Sequence, residues 1–221
     1  KTMATTTSHK VVIESFWAQE GMALRVKQAA LVIAGILFLT LAAKIKVPVW
    51  PSPVPITLGT FAVLTIGAAY GPRLGLTTIL GYMIIGALGF DIFAGNAAGE
   101  LGLTYMMGGT GGYLVGYVLA TLALSWVARQ GYDRSVTGMA GGLLLGNALI
   151  YIPGLLWLAV LYGFDKPILQ WGLTPFITGD IIKLALAALL VPALWKLVGK
   201  ARGSILQGMG GGATRLTLAY V

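Results

Sequence analysis

The 221-residue chain has no cysteine, which excludes a disulfide framework, a thiolate nucleophile and any sulfur-ligated metal site. Histidine is nearly as scarce. The single one, His9, lies in a polar stretch before the first apolar run, leaving a histidine metal site or catalytic triad almost nothing to be built from. Charge is also sparse: only 10% of residues are Asp, Glu, Lys or Arg, against about 25% in an ordinary soluble domain. No G-x-S-x-G nucleophile elbow occurs. The glycine-rich GGTGGY, residues 108–113, is followed by no lysine and preceded by no strand, so it is neither a Walker A loop nor a dinucleotide fingerprint. A membrane enzyme is therefore the weakest reading.

Apolar residues and glycine are what the chain has in quantity. It is 57% hydrophobic with 32 glycines and a mean hydropathy of +0.85. This is the composition of an integral membrane protein, in which small residues let helices approach closely in lipid. The net charge of +8 does not point to nucleic acid. The bases cluster at the ends of apolar runs and in the tails, and no basic stripe interleaves with aromatics.

Runs of about 20 apolar residues span the hydrocarbon of a bilayer. On that rule six transmembrane segments are expected, at about 28–46, 55–70, 74–90, 109–128, 138–162 and 174–198. The GPR turn at 71–73 separates the second from the third. Pro153 and Pro192 are expected to kink the fifth and sixth helices. The expected organisation is an N-terminal polar tail (1–27), an all-α six-helix membrane domain (28–198) and a C-terminal tail (199–221). Residues 1–24 lack the charged, apolar, small-residue order of a signal peptide, and 208–221 reads as an extension outside the core.

Lysine and arginine mark the cytoplasmic side. With both termini inside, eleven of these residues fall in cytoplasmic positions: Lys1, Lys10, Arg25, Lys27, Arg73, Arg129, Arg134, Lys196, Lys200, Arg202 and Arg215. Only Lys44, Lys46 and Lys166 fall outside. The opposite orientation reverses the counts, so both termini are expected in the cytoplasm.

Asp180 and Lys183 stand within apolar sequence, in TPFITGDIIKLALAALL. Insertion scales put a charge at the centre of a membrane helix at roughly 2.5–3.5 kcal/mol. Residues three apart share a helix face, so the two can partner each other or grip one ligand. Six residues beyond Thr174, Asp180 lies roughly 9 Å into the sixth helix at 1.5 Å per residue. The pair is thus expected in the outer half of the membrane, lining a site that opens outward. A structural ion pair is the plainer alternative, although burial makes such pairs poor stabilisers.

Other polar groups are candidates to share that cavity. The loop FDIFAGNAAGELGLTYMMGG between the third and fourth segments holds Asp91, Asn96 and Glu100 and no base. It could fold back as a cap. Asp91 and Glu100 read better as solvated carboxylates, whereas Asn96 sits among glycine and alanine, where backbone can approach a ligand. Thr110 lies among the glycines that frame Tyr113. Asn147 and Tyr151, four apart, share a face of the fifth segment, with Trp157 near it. Their alternative role is hydrogen bonding between helices. Ala30 and Ala34 form a small-residue patch on the first helix that suits helix contact with a partner or within this chain.

Taken in order, IKVPVWPSPVPITLGTFAVLTIGAAYGPRLG, YMIIGALGFDIFAG, GGTGGYLVGY, GNALIYIPGLLWLA and TPFITGDIIK resemble the BioY proteins, the biotin-binding S components of energy-coupling-factor (ECF) transporters. The resemblance runs from about Ala29 to Leu197. It departs where Gly59 stands at a position often occupied by Gln, and where Gly109 stands at one often occupied by Pro. The resemblance implies a six-helix S-component fold that captures biotin from outside. It also implies partnership with a transmembrane coupling protein and two cytoplasmic ATPases, which would carry the ATP hydrolysis. Asp180 and Lys183 correspond to the vitamin-binding Asp and Lys of the GDIIK stretch, Asn96 to the asparagine of the capping loop, and Ala30 and Ala34 to the contact with the coupling protein.

The residue chemistry agrees with that ligand. Biotin carries a ureido ring, an apolar thiophane and a chain ending in carboxylate. Asp180 can accept from ureido N–H groups, and Lys183 can meet either the ureido carbonyl or the carboxylate. Tyr82, Phe93, Tyr113, Tyr151 and Trp157 offer apolar walls, and Asn96, Asn147 and Thr110 add polar contacts. The expected protein is a multi-pass subunit of the cell membrane that needs no cofactor. A self-sufficient ion-coupled carrier is the alternative, but the internal repeat common in such carriers is not evident.

Overall fold

The computed structural model describes residues 21–196, and their secondary structure is almost entirely helical. The first helix, α1 (Met22–Lys44), is long enough at 1.5 Å per residue to cross a bilayer with its basic N-terminal turn beyond the hydrocarbon. A short antiparallel pair follows, β1 (Lys46–Val47) with β2 (Ile56–Thr57), in the register Lys46 opposite Thr57. It closes the loop between the first two membrane segments.

The helix α2 (Gly59–Ala87) is broken at Gly71, whose φ of 75° and ψ of 177° lie outside the helical region. Only glycine takes that φ readily, and Pro72 then starts the second limb at a position where its missing N–H costs nothing. The limbs fold back on each other. A Cβ on Gly75 would lie 3.8 Å from the carbonyl oxygen of Ile66, a contact impossible along a straight helix over nine residues. The expected second and third segments are therefore these two limbs, each shorter than the ~20 residues of a full span. The turn falls at the GPR sequence.

The loop after α2 contains one short helix, α3 (Gly102–Met107). The long helices α4 (Gly111–Arg129) and α5 (Val136–Tyr162) follow, joined by a 3-10 turn at Tyr132–Arg134. Helix α5 runs continuously through Pro153. The short α6 (Ile168–Gly172) and a 3-10 turn (Thr174–Phe176) lead into α7, described over 177–196 and continuous through Pro192. The segments Met22–Lys44, Gly111–Arg129, Val136–Tyr162 and Ile168–Lys196 are long and apolar enough to cross a membrane. With the two limbs of α2 they make six helical rods. Residues 1–20 of the expected N-terminal tail (1–27) and all of the expected C-terminal tail (199–221) lie outside the described residues, as do the last two residues of the expected sixth segment.

Helix α4 sits at the centre, packed on α2 and α5. Glycines make this possible at two points in particular. A Cβ on Gly112 would come within 2.3 Å of the Pro153 carbonyl oxygen, and one on Gly116 within 2.6 Å of Ile150 Cα, so α4 and α5 meet almost backbone to backbone. Ser125 Oγ donates to the Gly67 carbonyl at 2.9 Å, tying α4 to the first limb of α2 inside the apolar interior. Helix α1 uses a narrow buried stripe of Gly35, Leu39, Ala42 and Ala43, and Tyr70 of α2 donates to its Leu31 carbonyl. Its opposite face is exposed, including Ala30 and Ala34 among Val26, Ile33, Leu37 and Leu41. The alanine patch is therefore exposed among the described residues.

Candidate functional site

Asp180 lies in the first turn of α7, where a carboxylate complements the positive end of the helix dipole. The residue is buried, 4% exposed, and Lys183 nearly so at 7%. Three groups from two helices converge on this carboxylate. Lys183 Nζ donates to Oδ1 at 2.9 Å. Asn147 Nδ2 donates to Oδ2 at 3.1 Å, and the Tyr151 hydroxyl donates to the same oxygen. Lys183 Nζ also reaches Thr60 Oγ1 at 3.3 Å, linking α7 to the first limb of α2. The buried Oδ1 of Asn147 takes no hydrogen bond among the described residues. The charges are thus balanced one against one, and the ammonium keeps hydrogen-bonding capacity toward the cavity it lines.

That cavity is an aromatic box. Tyr113, Tyr151 and Phe176 form one wall, with ring centroids 5.9 Å and 6.1 Å apart in edge-on contacts. The Tyr113 hydroxyl donates to the Gly172 carbonyl at 2.8 Å, which anchors the wall to α6. The other wall is Tyr82, Phe93 and Tyr105: Tyr82 meets Phe93 edge-on at 5.2 Å, and Phe93 stacks on Tyr105 at 4.9 Å and 13°. Phe93 occupies the dent left by Gly86, where a Cβ would strike the ring. Ala43, Val54, Pro55, Thr57, Thr60, Ala94, Thr110, Leu114 and Tyr117 complete the lining with Lys183. The space free of protein atoms is about 570 Å³, counting the part open to solvent.

Of the residues expected at the site, Tyr82, Phe93, Thr110, Tyr113, Tyr151 and Lys183 line this cavity. Asp180 stands behind Lys183 and Tyr151 and holds both, and Asn147 reaches the cavity only through Asp180. Asn96 lies further out, on two shallower cavities above the box. There it donates to Glu100 Oε2 at 2.7 Å and accepts from the Glu100 N–H, holding the loop in a turn. Trp157 does not line the box. Its indole N–H donates to the Gly108 carbonyl at 2.8 Å, and its side chain packs on Gly111 and Gly112, bracing the segment that enters α4.

The loop between α2 and α4 does cover the box. Phe93, Ala94 and Tyr105 come from it. It is tied to the end of α1 by the Lys44–Asp91 ion pair and by Lys46 Nζ, which donates to the Ala94 carbonyl. Sequence reasoning missed Thr57, Thr60, Tyr105, Tyr117 and Phe176. Thr57 and Thr60 flank the break before α2, a polar pair at a segment start that offered a signal. Tyr117 and Phe176 carry none, being aromatics in apolar runs.

The arrangement suits a small ligand with a compact polar head and an apolar body. A balanced acid and base can exchange hydrogen bonds with a neutral group that both donates and accepts, and the aromatic walls exclude water around it.

A family model described as the BioY family matches residues 14–200. The chain is 36% identical over 171 residues to the probable biotin transporter BioY of Pyrococcus horikoshii, a match that covers 77% of this chain and 98% of the relative. It is 31% identical over 169 residues to the biotin transporter BioY of Thermotoga maritima, over 76% of this chain and 96% of the relative. A solved structure described as the S-component for biotin from an ECF-type ABC transporter superposes with a TM-score of 0.66 at 22% identity. The superposition covers 80% of this chain and 95% of that one, which establishes a shared fold. With the family model spanning most of its length, and the acid–base pair set in a membrane helix bundle of the same fold, this chain belongs to the BioY family.

Proposed function

We propose that this protein is the biotin-capturing subunit of an energy-coupling-factor transporter. The observation that carries the proposal is the buried Asp180–Lys183 pair set beside an aromatic box. The ureido ring is a neutral group with two donors and one acceptor, which is what a carboxylate and an ammonium 2.9 Å apart can satisfy together. Lys183 donates to the carbonyl, and Asp180, reached past Lys183 and Tyr151, accepts the N–H groups. Tyr82, Phe93, Tyr113 and Tyr151 enclose the thiophane, while Thr110 and Asn96 stand toward the mouth. Asn147 positions Asp180, and Trp157 holds the rim.

The site opens at the end of the bundle that carries Lys44, Lys46 and Lys166. The basic residues outnumber these at the opposite end, so that end faces the cytoplasm. Both termini are then cytoplasmic, the membrane is the cell membrane, and biotin enters from outside. The chain holds no nucleotide motif, so ATP hydrolysis falls to two cytoplasmic ATPases acting through a transmembrane coupling protein. The exposed face of α1 around Ala30 and Ala34 supplies a surface for that protein. The test is co-purification with and without candidate partners, followed by biotin binding on each form and uptake in whole cells. Binding by the chain alone, with accumulation only when the ATPases are present, supports the proposal. Uptake by the chain alone that tracks an ion gradient contradicts it.

A further inference from the structure

We infer that Lys46 is a specificity-determining residue that binds the carboxylate at the far end of the ligand, leaving Lys183 to the ureido ring. The inference rests on the biotin reading above and resolves which cation meets which end of the ligand.

Three lysines stand at the outer end of the bundle. Lys44 is paired with Asp91 and Lys166 with Asp165 at 3.1 Å. The hydrogen bond from Lys166 holds the Asp165 carboxyl below the usual carboxylate range. Lys46 has no acidic partner among the described residues. Its Nζ donates to one neutral group, the Ala94 carbonyl, and lies against Gly95, where a Cβ would come within 3.2 Å of it. Inside the box the opposite holds: the charge of Lys183 is already met by Asp180. A ligand carboxylate placed on Lys183 competes with Asp180 and leaves two buried acids around one base. Placed on Lys46, it neutralises a cation that has no counter-charge.

The box and an outer cavity adjoin at Pro55. Ala94, which Lys46 holds, and Pro55 line the aromatic box. Pro55 also lines the outer cavity, with Lys46, Trp50, Ser52, Pro53, Gly95 and Asn96. A second outer cavity shares Tyr105 and Thr110 with the box but carries Glu100, whose charge repels an anion. The chain of the ligand therefore leaves the box on the Lys46 side. Proximity to Asn96 Nδ2, already committed to Glu100, adds little competition for the carboxylate.

The test compares biotin with its primary amide, which differs only in the charge of the tail, by equilibrium titration of the purified protein. The wild type is expected to prefer biotin by about tenfold, the scale of one hydrogen bond to a charged group. Lys46→Gln should bring that ratio close to one, Lys46→Arg should retain most of it, and Lys183→Gln should leave it in place while weakening both ligands. A ratio unaltered in Lys46→Gln, or one that collapses only in Lys183→Gln, overturns the assignment while leaving biotin capture intact. A wild type that binds neither compound overturns the biotin reading itself.

Discussion

Replacing Asp180 with asparagine is the most informative single perturbation, because it affects folding and binding by different routes. In the wild type the carboxylate takes hydrogen bonds from Lys183, Asn147 and Tyr151. Asparagine keeps the shape but removes the charge, so Lys183, 7% exposed, is left without a counter-ion. Breaking a buried pair in this way costs about 3–5 kcal/mol, whereas replacing both members with apolar residues of similar size is often neutral. Asp180→Asn should therefore lower the unfolding temperature in detergent, and Asp180→Asn with Lys183→Met should recover much of the loss. Binding should not recover. Loss of a charged acceptor for the ureido N–H groups removes about 1.5–3 kcal/mol, a weakening of roughly 10- to 150-fold in the single variant, and the double variant, which also lacks the Lys183 donor, should bind more weakly still. The assay is thermal unfolding and biotin titration on the same preparations. Wild-type affinity in Asp180→Asn would refute the reasoning, as would recovery of binding together with stability in the double variant.

Gly112→Ala should destabilise the protein by about 1–3 kcal/mol, measured as a lower unfolding temperature, since the new methyl group meets the Pro153 carbonyl at 2.3 Å. Trp157→Phe removes the hydrogen bond to Gly108 and should speed biotin dissociation by roughly fivefold for about 1 kcal/mol lost, read by stopped-flow displacement. Ala34→Trp, on the exposed face of α1, should impair co-purification with the coupling protein while leaving biotin affinity unchanged. Intact assembly in that variant returns the face to lipid.

The elements were legible where polar punctuation interrupts apolar sequence. The six segments and the break at residues 71–73 follow from run length and from Gly71–Pro72, and the structure places the chain reversal there. The first helix begins at Met22 rather than near residue 28, because Arg25 and Lys27 lie beyond the hydrocarbon but still within helix. The short helix Gly102–Met107 and the β pair were not legible, as each is too short to carry a period. Asp180 and Lys183 announced themselves by their cost in lipid. The side chains around them did not. In a bilayer the interior and the lipid are equally apolar, so amphipathic patterning fails to say which face of α4 turns inward. Tyr117 lines the box while Trp126 on the same helix is exposed, and nothing in composition separates them. Lys46 read only as a marker of the outer side, since its position against Ala94 depends on the loop's closure.

The central claim is that this chain alone holds biotin in a single pocket centred on Asp180 and Lys183. Calorimetric titration of the purified protein with biotin, without partner subunits, tests it most directly. One saturable site per chain, lost in Asp180→Asn and in Lys183→Ala, is the predicted result. The absence of saturable binding by correctly folded protein, or binding indifferent to both substitutions, would contradict it.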